Sequence, residues 1–413
     1  MPTDIVGGRV STVSIARVSA EHVERLSQHQ LRLNDIVFSR RGDVTRFALV
    51  TAREVGWLCG TGCLKVRVGT GDIALPEWVS LALGGPEVKE WLVRHAVGAT
   101  MPNLNTSILS ALPLEVPPIK QQREAAEVFF ALDDRIDLLR QTNATLESIT
   151  EALFKSWFID FDPVRAKAEG REPEGMDAAT AALFPAGFEE SALGLIPERW
   201  AVRKVDEVAE RVGMGPFGSN IKVSTFVDSG VPVLTGACLK RTLMEDDEFR
   251  FITEEHADRL SGALVGKGDI VITHRGTLGQ VSLIPAGTSF ETYVLSQSQF
   301  FVRTNPDETT PEFLTYFLRC STGQHLLLAN ASQVGVPSIS RPVSYLKSLR
   351  LVVPPVALAS IFSSVATTLH ERVVAGRRQI DMLAELRDLL LPRLISGKLR
   401  LPEAIEQVEE SVA

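Results

Sequence analysis

A chain of 413 residues with 45% apolar and 23% charged side chains can build two or three globular domains. No stretch approaches 18 uninterrupted apolar residues, and the opening MPTDIVGGRV has no basic flank leading into an apolar core. This pattern excludes a membrane span and a secretory signal, and predicts a cytoplasmic protein. The net charge of -8 is uneven: residues 119–199 carry 9 basic against 16 acidic side chains, residues 1–118 carry 12 against 11, and residues 200–355 carry 15 against 16. The globular segments are thus near neutral, compatible with a DNA-binding face but not with strong unaided phosphate binding. Four cysteines, Cys59, Cys63, Cys238 and Cys320, give no disulfide framework, and Cys59 with Cys63 lacks a second ligand pair for zinc, so all four are read as core thiols.

In chain order, residues 1–118 read as a mixed domain with a helical patch at Ser19–Leu26 (SAEHVERL), a strand and turn at Asp35–Gly42 (DIVFSRRG), and a helix over Pro76–Arg94. A short apolar strand, LPLEV, then meets the stop Pro117-Pro118, and a long helix runs over 119–158. Its stripe of Phe129, Leu132, Ile136, Leu139, Leu146 and Leu153, with polar Asn143 and Thr150, steps by three and four, the spacing of a two-helix seam. Residues 159–199, rich in Pro, Gly and charge, read as a long surface connection. Residues 200–355 form a second mixed domain, with a helix over Pro311–Leu327. They are followed by a second long helix over 356–398 and a tail of 399–413.

The second half repeats the first. SAEHVERL pairs with Thr253–Leu260 (TEEHADRL), and DIVFSRRG with Asp269–Gly276 (DIVITHRG), both at an offset of 234; Met101–Asn105 pairs with Val336–Ser340 at 235, and the Pro-Pro strand with Leu349–Pro355 at 237. The last offset carries the stripe onto Ala366, Leu369, Val373, Gly376, Ile380, Leu383, Arg387 and Leu390. The implied fold class is α+β: two repeated mixed α/β domains separated by two long helices packed as a coiled coil. Two ordinary core helices in separate domains are the alternative. Since Met1 aligns with Thr235, nothing in 1–118 corresponds to Leu193–Leu234, and the first domain is expected to be N-terminally incomplete and the weaker of the two.

No phosphate loop, GxSxG elbow or paired-histidine spacing is present. His22 and His256, and the neighbours Asp133 and Asp134, read as structural and as a solvated helix face. What remains is polar loop chemistry suited to phosphates and base edges. Arg40-Arg41-Gly42 and His274-Arg275-Gly276 follow strands and set an arginine beside a glycine, where backbone can approach a ligand and a guanidinium can fork onto guanine; pairing with nearby carboxylates is the competing role. A glycine-rich loop at 215–222 adds Ser219, Asn220 and Lys222. Asn103, Asn105, Ser338, Ser340 and Arg341 lie in the repeated Met101–Asn105 and Val336–Ser340 segments or directly after them.

Together GPFGSNIK at 215–222, DIVITHRG, VPSIS at 336–340, LVVPP at 351–355, SWFIDFDPVRAKAEGR at 156–171 and LGLIPERW at 193–200 resemble, in the usual order, the specificity subunits of type I restriction-modification systems. The resemblance is nearly end to end. It implies a non-catalytic subunit whose two target recognition domains each read one half of a split asymmetric site on double-stranded DNA, while the helices fix the gap and dock methylation subunits, two in number, with restriction subunits completing the complex. It implies no cofactor here: S-adenosylmethionine, ATP and magnesium would bind partners. A repeat-built protein scaffold without DNA reading is the alternative.

Overall fold

The computed structural model describes residues 1–395, apart from 70, 99, 219, 247, 333 and 334. Two compact units result, one of Met1–Leu139 with Arg378 onward, the other of Arg140–Arg377. Each long helix, Ile119–Phe158 and Val356–Ile395, contributes to both.

In the first unit, strands Phe47–Leu49, Asp35–Ser39 and Cys63–Arg67 form an antiparallel sheet in that order. Successive side chains of a strand point to opposite faces. Ile36 and Phe38 therefore pack with Val79, Leu83 and Leu92, while Val37 packs with Ile5, Leu31 and Val50. The second unit repeats this on Ile270–Thr273, the centre of a sheet ordered Val281–Leu283, Ile270–Thr273, Gln299–Thr304, Ala209–Met214. Ile270 and Ile272 join Phe313 and Phe317, and Val271 joins Leu234, Tyr293 and Phe301. A second four-stranded sheet there runs Arg250–Ile252, Val231–Leu234, Thr292–Leu295, Leu264–Gly266.

The same ion pair, a buried carboxylate gripped by a partly exposed arginine, anchors both central strands. Arg67 forks onto Asp35 at 2.6 and 2.7 Å, and Arg303 onto Asp269 at 2.8 and 2.7 Å. A main-chain amide, of Arg32 or of Gly266, donates to the same carboxylate at 2.9 Å in each copy. Burial pushes the Asp35 carboxyl up, but these donors outweigh it and hold its pKa below the ordinary value.

Four element assignments change. The helix over Pro76–Arg94 is two, Pro76–Leu83 and Pro86–His95, because Pro86 forces Gly85 into extended backbone at ψ 147. The helix over Pro311–Leu327 likewise splits into Pro311–Arg319 and Ser321–Leu328 at Cys320, whose extended backbone and Sγ, accepting from the Gly323 amide, cap the second piece. The strand before Pro117 is absent. Its counterpart Arg350–Val353 pairs with Ala201–Lys204, a segment to which nothing in residues 1–118 aligns. The connection at 159–199 is not a plain loop: it holds helices Asp162–Ala168 and Ala178–Leu183 and a hairpin, and buries Val164, Phe184 and Ile196 beside Trp157 and Phe158.

The long helices run antiparallel within each unit. In the first, Phe129 packs with Leu386 and Leu390, and three and seven residues on, Leu132 and Ile136 pack with Leu383. In the second, Asn143 is buried against Gly376 so closely that a Cβ there would lie 2.4 Å from the Asn143 Oδ1, and Trp157 meets Phe362 at 6.4 Å. Buried Thr150 donates to the Leu146 carbonyl, and Val373 is buried; Leu139, Leu146, Leu153, Leu369 and Ile380 are half-buried. Asp133 and Asp134 are not a bare solvated face: they pair with Arg387 at 2.9 Å and Arg9 at 2.7 Å. Residues 396–398 of the second helix segment and the 399–413 tail lie outside the described residues.

Buried His370 faces the Tyr316 hydroxyl at 2.9 Å, and burial, with the Arg377 charge, lowers its pKa to about 4. A folded-state pKa below the unfolded value means that the unfolded chain binds more protons in between. Stability of the second unit should be full above pH ~6.5 and fall toward pH ~4, by on the order of 3 kcal/mol. In urea unfolding at pH 7 and pH 5, His370→Gln should flatten this loss; an unchanged pH slope would contradict it.

Candidate nucleic-acid interface

Each central strand ends in a turn stitched to the segment 60 or so residues downstream. In the first copy the Gly42 amide donates to the Pro102 carbonyl at 3.1 Å, the Leu104 amide to Arg40 at 2.9 Å, and Arg41 pairs with Asn103. In the second, Gly276 donates to Pro337 at 2.9 Å, Ile339 to His274 at 2.9 Å, and Arg275 pairs with Ser338. The register is identical, atom for atom. Gly42 and Gly276 have φ of 80 and 92, the left-handed region that glycine enters freely. The turn therefore reverses sharply and leaves Arg41 and Arg275 exposed.

The second copy opens onto a cleft of about 700 Å³ that brings together residues distant in sequence: Phe217 of the glycine-rich loop, His274 and Arg275 of the turn, and Val336, Ser338 and Arg341 downstream. Arg341 is exposed and sits in left-handed backbone at φ 46, at the start of helix Pro342–Ser348. His274 is 8% exposed, with Nε2 3.2 Å from the Gln297 carbonyl. Burial and the adjacent Arg275 charge lower its pKa, so at neutral pH it is an uncharged wall and not a phosphate anchor.

Other predicted site residues divide into free and engaged groups. Arg40 is half-buried with its Nε unpartnered among the described residues, as is the Asn103 Oδ1. Exposed Asn105 caps helix Thr106–Ser110, accepting from the Ile108 amide at 2.8 Å, and Asn220 donates to the Phe217 carbonyl at 2.8 Å; both side chains hold local structure. Lys222 and Ser340 are exposed, the Ser340 carbonyl accepting from Asn330. Ser219 lies outside the described residues.

Sequence reasoning missed Phe217 and Val336 as cleft residues. It also missed a second cleft of about 350 Å³ lined by Lys240, Gln280, Arg319 and Gln324, where burial lowers the Arg319 pKa and its Nε has no partner among the described residues. Among the described residues no cluster of three His, Cys, Asp or Glu side chains could hold a metal, and no helix is long and apolar enough to cross a membrane.

Residues 6–148 match the family model of the type I restriction modification DNA specificity domain. The chain is 26% identical over 369 residues to the HindI specificity subunit of Haemophilus influenzae, covering 79% of this chain and 78% of that one. It is 24% identical over 336 residues to the MjaIX specificity subunit of Methanocaldococcus jannaschii, covering 80% and 71%. The crystal structure of a type I S subunit from M. genitalium shares the fold, with a TM-score of 0.54 at 14% identity over 87% of this chain and 82% of the other. Over most of its length the chain is similar to specificity subunits of type I restriction enzymes.

The segment that matches the family model holds the whole first-copy turn, Arg40 to Gly42 with Asn103. Replacing Gly276 by Val would force a β-branched residue into the left-handed region, at about 1–2 kcal/mol. Urea unfolding should show that loss for the second unit, and Gly42→Val the same for the first; neutral substitutions would mean that the turns relax.

Proposed function

We propose that each repeated domain reads one half of a bipartite DNA site, that the helix pair sets the gap between the halves, and that it docks methylation subunits, with restriction subunits joining the assembly. The observation that carries this reading is the identical stitching of Arg41 and Arg275 onto glycine turns in both copies. Two copies of one cationic turn fit two half-sites, and different flanking side chains, Asn103 in one and Ser338 in the other, fit two different half-sequences. The chain itself brings no cofactor in this proposal; S-adenosylmethionine belongs to the methylation subunits, ATP and magnesium to the restriction subunits.

In the complex reconstituted with methylation subunits, Arg275→Ala should cost about 1–3 kcal/mol at one base pair of one half-site if the guanidinium forks onto guanine. Arg41→Ala should act on the other half alone. An equal loss on every sequence would mark phosphate contacts and contradict base reading.

The gap is tested separately. Seven residues added in phase to both long helices lengthen them by about 10 Å, and base pairs stack every 3.4 Å or so. The recognised gap should grow by roughly three base pairs. An unchanged gap would show that the helices are not the ruler.

A further inference from the structure

Among the described residues every aromatic side chain except one is buried or half-buried; Phe217 is 74% exposed. Its exposure is held in place. On one side, Gly215 donates to the Gln299 carbonyl at 2.9 Å and lies so close to the Ser296 carbonyl that a Cβ would stand 1.9 Å from that oxygen. On the other, Gly218 turns the chain at φ 64 and Asn220 binds the Phe217 carbonyl. Water is a poor solvent for a phenyl ring, so a loop pinned on both sides to present one has a partner that covers it.

The surroundings indicate which partner. Phe217 shares its cleft with Arg275, Arg341 and Val336. Val336 is 54% exposed and precedes Pro337, whose carbonyl receives the Gly276 amide. At the same repeat position the first copy has Met101, 59% exposed, before Pro102, which receives the Gly42 amide. Both copies thus set a large exposed apolar side chain beside the arginine-bearing turn. An apolar protein patch would leave two arginines uncompensated, whereas DNA offers anionic phosphates and apolar base faces within one contact.

We propose that Phe217 stacks into a partly opened base step of the half-site read by the second domain, with Val336 beside it and Arg275 and Arg341 on flanking phosphates or base edges. This rests on the DNA-reading function proposed above and adds a mechanism to it: specificity by the ease of opening one step, in addition to hydrogen bonds. Pyrimidine–purine steps, which unstack most easily, are the predicted ligand.

The test uses the complex reconstituted with its methylation subunits, on duplexes carrying the site identified by sequencing methylated adenines. 2-Aminopurine is placed at each half-site position other than the adenine that becomes methylated. Fluorescence should rise on binding at one step only, and Phe217→Ala should abolish that rise and weaken specific binding about 10- to 100-fold, with an unchanged salt slope because no phosphate contact is lost. Phe217→Leu should retain part of both. Specific binding that Arg275→Ala weakens but Phe217→Ala leaves intact, with the fluorescence unmoved, overturns the stacking proposal while leaving DNA reading in place. Failure of Phe217→Ala to assemble with methylation subunits would identify a protein contact and likewise overturn it. Absence of any sequence preference in the unaltered complex would overturn the underlying reading itself.

Discussion

A buried carboxylate gripped by one arginine underlies both repeated domains. Asp35 and Asp269 are fully buried, and taking such a charge out of water is costly unless its oxygens are filled. The fork from Arg67 or Arg303 plus a main-chain amide fills them with charge-assisted bonds. Because the arginine comes from the neighbouring strand, only one pairing register satisfies the carboxylate. A slip of one residue would leave the charge unpaired and turn the apolar set of the strand to the wrong face. The same register delivers Arg41 and Arg275 to the end of the strand, where a glycine turn exposes them.

The helices meet a different constraint. Asn143 against Gly376 is a polar side chain received by the one residue without a side chain, a pairing that tolerates no shift along the helix axis. Phe154, Trp157 and Phe158 then tie the end of the first long helix to Phe313 and Phe362. Glu147 and Glu245, bridged by Arg377 and Arg241, tie the helix pair of the second unit to the loop beside Leu243. The central sheet of that unit is consequently built onto the helices through both apolar and ionic contacts.

Much of the fold was legible because repetition exposes it: a strand and turn read twice, at one offset, in DIVFSRRG and DIVITHRG, constrain each other as a single copy cannot. The long helices were legible from their period. The errors were local. Gly85 before Pro86 carried a helix stop that the apolar run masked, and Leu112–Val116 has strand composition but no strand to pair with. Burial, too, is invisible in sequence: His274, a candidate DNA contact, is a buried wall of the cleft, and Asn105, another, caps a helix. Phe217 was missed because an aromatic is ordinarily assigned to the core, and only three-dimensional exposure shows that this one is not there.

The central claim, that two structurally repeated domains read two independent half-sites, is tested most directly by exchange. Residues 200–355 are replaced by the second recognition domain of another specificity subunit, and methylated adenines are mapped by sequencing in cells carrying the matching methylation subunits. The account predicts a new bipartite motif in which one half changes to that of the donor and the other half is retained. A motif unchanged in both halves, or altered in both, would contradict it.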